Sequence, residues 1–318
     1  MSKQVILIGD INIDLSLKGI RNISEIKLGA ELGIDEYTFD IGGSGFNFIK
    51  ALNSFGVKTD FYGKIGNDFF GHNIKEHLKN NKINNSLIIS DEIKTGITTM
   101  IPIKKNRFFF TYSGGNEYLG INDLDFGKID RFDHVHLSSY YLLKSLQPDY
   151  ITILKKIKAN KKITISFDIG FDPLRNWQSE KVFEILKYVD IFLPNETEAL
   201  NITKSKNIEK ALNILAAQCE IVIVKLGPKG LTASTKRNTG SETISLLPYD
   251  VKVADTSCSG DCFDAGFIYG FLNGYGFQDS LDLANGCGSL QASKLGSYKF
   301  KDLSEIVDFM KVTKKVIK

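Results

Sequence analysis

Short β-branched runs separated by longer amphipathic stretches constrain this chain more than any other feature. Residues 5–8, 60–63, 134–137, 163–168, 189–193 and 221–226 read as strands. They are apolar almost throughout rather than alternating, as strands covered on both faces of a parallel sheet are. The intervening stretches 46–55, 71–80, 149–159, 179–188 and 208–219 read as helices, and so do 260–274, 280–294 and 303–315 in the last third. This alternation predicts an α/β fold, a doubly wound and mostly parallel sheet flanked by helices.

Two segments interrupt the pattern. Residues 14–40 lack a helical period and end in the Gly42-Gly43 turn. Within 94–114, two strand-like runs flank the polar turn Lys104-Lys105-Asn106-Arg107. Both read as β excursions forming a small lid within a single domain spanning 1–318. No linker, repeat or low-complexity tract divides the chain.

Composition excludes several classes. Forty basic against 37 acidic residues leave a net charge of +3, which gives no reason to infer nucleic acid or an anionic membrane as partner. No run approaches the length of a transmembrane helix, and Gly9-Asp10 cuts the first apolar run too short for a signal peptide. Cys219, Cys258, Cys262 and Cys287 form no Cys-x-x-Cys pair, and the four His supply no zinc spacing. Free thiols and a cytoplasmic location are the expectation.

Near-matches to familiar signatures fail on chemistry. Gly66-Asn-Asp-Phe-Phe-Gly71 has P-loop glycine spacing, but His72 stands where the lysine belongs. Gly43-Ser-Gly45 begins a dinucleotide fingerprint that Phe48 breaks. Asp125-Phe-Gly127 has no His-Arg-Asp loop before it.

The informative stretch is Asp255-Thr-Ser-Cys258-Ser259-Gly260-Asp261-Cys-Phe-Asp-Ala-Gly266. A small, polar run leads straight into a helix whose Gly266, Gly270 and Gly274 share one face and permit close packing. Free N–H groups and the positive dipole end at 258–261 would form an anion site, with Asp261 in the first turn beside it. Read alone, Asp261 is equally an ordinary first-turn carboxylate worth ~0.3–1 kcal/mol to the helix. An anion hole beside a carboxylate is also what phosphoryl transfer to a hydroxyl requires: one neutralises the moving phosphoryl group, the other accepts the proton.

This stretch resembles the Asp-Thr-x-Gly-Ala-Gly-Asp signature of the PfkB (ribokinase-like) carbohydrate kinases. Further stretches resemble the same family in the same order: Gly9-Asp10-Ile-Asn12-Ile-Asp14, Ile41-Gly42-Gly43-Ser-Gly-Phe-Asn47, Gly63-Lys-Ile-Gly66-Asn-Asp68-Phe-Phe-Gly71, Pro194-Asn195-Glu-Thr-Glu198 and Lys225-Leu-Gly227-Pro-Lys-Gly230. The resemblance implies a ribokinase-like fold and transfer of the γ-phosphoryl group of ATP to a sugar hydroxyl. It implies Asp261 as base, with Cys258, Ser259 and Gly260 offering backbone N–H groups. It implies Asn12, Asp14, Gly42, Gly43 and Asn47 around the sugar. Asn195, Lys225, Gly227, Gly230 and Asn285 would line ATP, with Asn195 and Glu198 organising Mg²⁺. Asp255 would serve a monovalent cation or buttress the anion loop.

Cys258 departs from the family pattern by replacing a glycine, which implies strain if that glycine has positive φ. Cys258 and Cys262 also lie at a helix start, where a thiolate is favoured, which offers two readings: an oxidation-sensitive Cys258 or, carrying more weight, two inert small residues. His134 and His136 read as structural. The stretch Asp168-Ile-Gly-Phe-Asp172-Pro-Leu-Arg175-Asn-Trp177 lies near the expected acceptor site, and Arg107–Tyr112 in the expected lid. Neither separates a free sugar from a sugar acid or a nucleoside. A nucleoside kinase and a non-catalytic sugar-binding regulator are the alternatives. Exposed strand edges of the lid suit homodimerisation.

Overall fold

The computed structural model describes residues 3–29, 31–103, 106–236, 242–297 and 300–316. Lys104 and Lys105 of the expected turn lie outside the described residues, as does the Arg107 side chain. The central sheet has eight strands in the order Glu242–Leu246, Leu231–Thr235, Ile221–Lys225, Ile191–Phe192, Thr164–Asp168, His134–Ser138, Gln4–Ile8 and Lys58–Tyr62. The six strands from Ile221–Lys225 to Lys58–Tyr62 are parallel, and the outer two form an antiparallel hairpin.

Alternate side chains of each inner strand feed separate cores. Val5, Leu7, Ile191, Ile221 and Ile223 pack with the helices Ser44–Ser54, Ser259–Leu272 and Phe277–Ala292. Ile6, Ile8, Val135, Leu137, Phe167 and Val222 pack on the opposite face with Tyr150–Lys158, Ser179–Leu186 and Ile208–Gln218. Burial on both faces is why these strands read as uninterrupted apolar runs.

The first strand pairs with Lys58–Tyr62 on one side and His134–Ser138 on the other. The winding direction therefore reverses between Gln4–Ile8 and His134–Ser138. In open α/β sheets the crevice beyond the strand C-termini at such a reversal is the usual ligand site. Ser139 Oγ closes this crevice by donating to Asp10 Oδ1 at 2.7 Å.

Both β excursions join one separate four-stranded sheet, in the order Glu36–Gly42, Asn12–Lys18, Ile97–Ile103 and Asn106–Tyr112. Its two halves meet through a parallel pairing of Asn12–Lys18 with Ile97–Ile103. Tyr37, Phe39, Phe108, Phe109, Phe110 and Tyr112 on its outer strands are exposed. Asp14 lies inside a strand of this sheet, opposite Asp40, rather than after the first core strand.

The glycine face is only partly as expected. A Cβ on Gly266 would come within 2.8 Å of Cys287 Sγ and 2.9 Å of Ala284 Cα, and one on Gly270 within 3.0 Å of Ser280 Cα. These two let the helices Ser259–Leu272 and Phe277–Ala292 touch. Gly274 lies beyond the helix end at φ 76° with open space around it, so it makes the turn and not the contact.

Candidate active site

The crevice is built from the turn that follows the first strand. The Asp10 carboxylate accepts from the Gly45 N–H at 2.9 Å and the Ser44 N–H at 3.2 Å, standing in for a cap on the helix Ser44–Ser54. Gly43 precedes that helix at φ 102°, and a Cβ there would sit 2.8 Å from the Asp10 carbonyl oxygen. A Cβ on Gly42 would fall on the Asp14 carboxylate, so both glycines are steric requirements. Asn12 Nδ2 donates to Asp14 Oδ1 at 2.7 Å. Burial, with Asp10 and Asp40 nearby, pushes Asp14 up to about 7. A carboxyl poised between its two forms can accept from or donate to a hydroxyl.

Across the crevice, Ser259–Leu272 begins at Cys258, whose backbone is left-handed at φ 61° and ψ 0°. Among the described residues, the Gly260 and Asp261 amides have no protein acceptor, and Ser259 N reaches the Thr256 carbonyl only at 3.4 Å. The Ser259 hydroxyl is also buried without a hydrogen-bond partner. Asp261 Oδ2 accepts from Asn47 Nδ2 at 3.1 Å. Burial and the Asp168 charge push Asp261 up to about 7, against the pull of Lys225 and the Asn47 hydrogen bond.

The thiolate expectation is overturned. Burial and the neighbouring Asp261 charge raise the Cys258 thiol, and burial raises Cys262 well above the ordinary thiol value. At Cys258 desolvation and a neighbouring anion outweigh the helix dipole. The left-handed backbone expected at this position is present.

The loop before the helix is braced from within. Asp255 accepts from the N–H groups of Ser257 at 2.8 Å and Gly296 at 3.2 Å. The fully buried Gln291 donates Nε2 to the carbonyl of Gly296 at 2.7 Å and to that of Ser257 at 3.4 Å. A buried amide donor thus bridges two carbonyls of the loop.

Beneath the anion loop lies an ionic cluster. Lys225 Nζ is 2.8 Å from Asp168 Oδ2 and 2.9 Å from Asp264 Oδ2. It also lies 3.6 Å from where a Cβ on Gly260 would stand. Burial raises Asp168, but the Lys225 ammonium and a hydrogen bond with Asp264 bring it down to about 2. Asp264 is raised by burial, against the pull of the Lys225 ammonium. Beside them, Asn195 caps the helix Glu196–Ile202. Glu198 accepts from Asn195 N at 2.9 Å and from Asn195 Nδ2 at 2.6 Å. Burial and the Asp168 charge push Glu198 up to about 8.

Lys225 therefore points inward to the cluster rather than toward the turn it precedes. Gly227 and Gly230 turn the chain at φ 57° and 86°. A cavity of about 440 Å³ opens between this turn and the hairpin, lined by Leu226, Lys229, Leu231, Ser245, Leu246 and Leu247. Asn285 Nδ2 donates to the Leu247 carbonyl at 2.7 Å, behind that wall.

Among the described residues, no group of three or more His, Cys, Asp and Glu could hold a metal ion by itself. Asn195 and Glu198 offer oxygens that fit an ion such as Mg²⁺, which keeps several waters and takes phosphate oxygens as its other ligands. Sequence reasoning assigned nothing to Asp264, Gln291, Lys50 or Ser297, and gave Asp10 and Asp168 no role beyond the stretches that contain them. The lysine closing the apolar run 221–224, and Asp264 among apolar neighbours, were the available signals.

A crevice lined by Asn12, Asp14 and Asn47, a helix start with free amides and a carboxylate at their junction are the parts that phosphoryl transfer to an alcohol requires. The comparisons agree. Residues 2–302 match the pfkB family carbohydrate kinase profile, and the chain belongs to that family. It is 28% identical over 253 residues to an uncharacterised sugar kinase of Archaeoglobus fulgidus, covering 78% of this chain and 96% of that protein. It is 27% identical over 330 residues to a 5-dehydro-2-deoxygluconokinase of Clostridium botulinum, covering 98% and 94%. The fold matches the ribokinase of Thermotoga maritima with a TM-score of 0.82 at 22% identity, over 98% of this chain and 100% of that one. It matches an Arabidopsis thaliana ribokinase complexed with ribose and ATP with a TM-score of 0.79 at 21% identity, over 98% and 99%.

Proposed function

We propose that this carbohydrate kinase transfers the γ-phosphoryl group of ATP to a hydroxyl of a free monosaccharide, with Asp261 as the base. The observation that carries the reading is the hydrogen bond from Asn47, on the sugar-side helix, to Asp261, on the anion-side helix. One carboxylate thereby faces both halves of the crevice.

Asn12, Asp14, the Gly43 backbone and Asn47 hold the sugar hydroxyls. Asp261 accepts the proton as the hydroxyl oxygen attacks phosphorus and the bond to the departing ADP oxygen breaks. The N–H groups of Cys258, Ser259, Gly260 and Asp261 stabilise charge on the transferred group, where fixed dipoles are worth most because water is excluded. The cavity between the Gly227–Gly230 turn and the hairpin takes the nucleoside, with Asn285 supporting its wall. Asn195 and Glu198 would hold Mg²⁺, which would neutralise phosphate charge when bound. Asp255 acts as a brace of the anion loop. The four-stranded sheet closes over the sugar and keeps water from the phosphoryl group.

The acceptor is identified by incubating the protein with Mg·ATP and a panel of free sugars, sugar acids, sugar phosphates and nucleosides, reading ADP release and the product by ³¹P NMR. A phosphorylated free monosaccharide supports the reading. Turnover confined to nucleosides, or sugar binding without turnover, contradicts it.

A further inference from the structure

The helix Ser44–Ser54 buries a cation that the chemistry above does not use. Lys50 is only 8% exposed, and among the described residues no carboxylate pairs with it. Its ammonium donates to the Ser297 carbonyl oxygen at 2.8 Å and also contacts Ser297 Oγ. Ser297 Oγ donates to Asn47 Oδ1 at 2.9 Å. Asn47 Nδ2 donates to Asp261 Oδ2 at 3.1 Å. A continuous relay thus runs from the buried ammonium to the base.

The direction of this relay is fixed by chemistry at its lysine end. An ammonium has three donors and no acceptor, whereas a hydroxyl serves as both. Ser297 Oγ accepts from Lys50 and donates its own proton to Asn47 Oδ1, the arrangement that pairs both ends of the Asn47 amide. The other end of the amide then presents N–H to Asp261. The flipped amide would set an oxygen against the carboxylate and force Asp261 to hold a proton, which disables a base.

We propose that Lys50 is a positioning residue for Asp261, acting through Ser297 and Asn47 to hold the Asn47 amide with its N–H toward the base. The proposal rests on Asp261 being the base and adds how its charged, accepting form is secured. The other groups facing Asp261 are Asp168 and Asp10, which favour its protonation, and Lys225, which opposes it. The Cys258 and Cys262 thiols beside it stay neutral. Lys50 and Ser297 touch none of the proposed nucleotide-binding residues through the bonds described, but Ser297 also bonds the Cys258 side chain, so the readout is taken at the Asp261 carboxyl itself.

The test is a ¹³C NMR titration of the Asp261 carboxyl in the full-length protein, compared among wild type, Lys50→Met and Ser297→Ala. Ser297→Ala keeps the cation but cuts the relay, and it decides the matter if Lys50→Met does not fold. Both variants are expected to raise the Asp261 midpoint by roughly half a unit or more, as a carboxylate does on losing a hydrogen bond. Turnover should fall about tenfold, the size of one hydrogen bond to a charged group. An unmoved midpoint in Ser297→Ala overturns the relay, even if the melting temperature drops. If Asp261→Asn is inactive while that midpoint stays put, the relay alone fails. Full turnover by Asp261→Asn overturns the base reading and the relay's purpose with it.

Discussion

Lys225 Nζ lies 2.8 Å from Asp168 Oδ2, and both side chains are almost closed to water, at 12% and 11% exposure. Asp264, 1% exposed, completes the cluster from the helix that carries Asp261. Removing the single cation leaves buried carboxyls without a counter-charge. Lys225→Met is expected to cost about 3–5 kcal/mol in urea unfolding. Adding Asp168→Asn and Asp264→Asn should return part of that loss. A Lys225→Met protein as stable as wild type would show that the cluster is not held by this charge.

Folding should take up protons near neutral pH. In the folded chain Glu198 keeps its proton up to about 8, whereas an ordinary glutamate in the unfolded chain releases it near 4.5. Its folded value is raised, so its contribution to stability is full below the unfolded value and is lost as pH rises through about 8. Asp261 and Asp14 behave alike, their losses beginning near the ordinary 3.8 and complete by about 7. Buried His134 and His136 act oppositely, but only below their unfolded value of 6.5. The melting temperature of the ligand-free protein is therefore expected to rise as pH falls from 8.5 to 7. Glu198→Gln should remove up to about 1 kcal/mol of that change. A flat profile in the unmodified protein would contradict the burial argument.

Cys258 holds a left-handed backbone at φ 61°, a conformation that costs an L-residue ~1–2 kcal/mol. Cys258→Gly should relieve the strain and gain up to about 1 kcal/mol after the entropy cost of glycine. Cys258→Ala should bring no such gain. The raised thiol also predicts slow modification by alkylating reagents at pH 7, measured by mass spectrometry. Rapid labelling of Cys258, or a destabilised glycine variant, would go against this account.

The Gln291 amide bridges the carbonyls of Ser257 and Gly296 from within the protein. The loop therefore carries its own buried donor between these two carbonyls and needs no bound cation to bridge them. Turnover is expected to be equal, within about twofold, in K⁺, Na⁺ and tetramethylammonium salts at matched ionic strength. Strong activation by K⁺ would contradict this reading of Gln291.

The parallel strands were legible because burial on both faces leaves an unbroken apolar signature. The antiparallel hairpin of Leu231–Thr235 and Glu242–Leu246 was not, since polar residues interleave in Glu242–Leu246 and it lies at the sheet edge. The anion loop and Asp261 stood out because small residues, a turn and a first-turn carboxylate are contiguous. The ionic cluster was hidden because Lys225 meets Asp168 57 positions away and Asp264 39 positions away. Nothing in the local sequence singles out Lys50. Its burial depends on Ser297, 247 positions further along, which no local pattern encodes.

The most direct test of the account compares wild type with Asp261→Asn, using Mg·ATP and the sugar that the wild-type protein phosphorylates. The substitution keeps the shape and the bond to Asn47 within reach but cannot take up a proton. The account predicts a fall in kcat of about 10²–10⁴-fold with little change in sugar affinity. It also predicts that wild-type kcat/KM rises with pH through about 7, the value to which burial brings Asp261. An Asp261→Asn protein that turns over at the wild-type rate would contradict it.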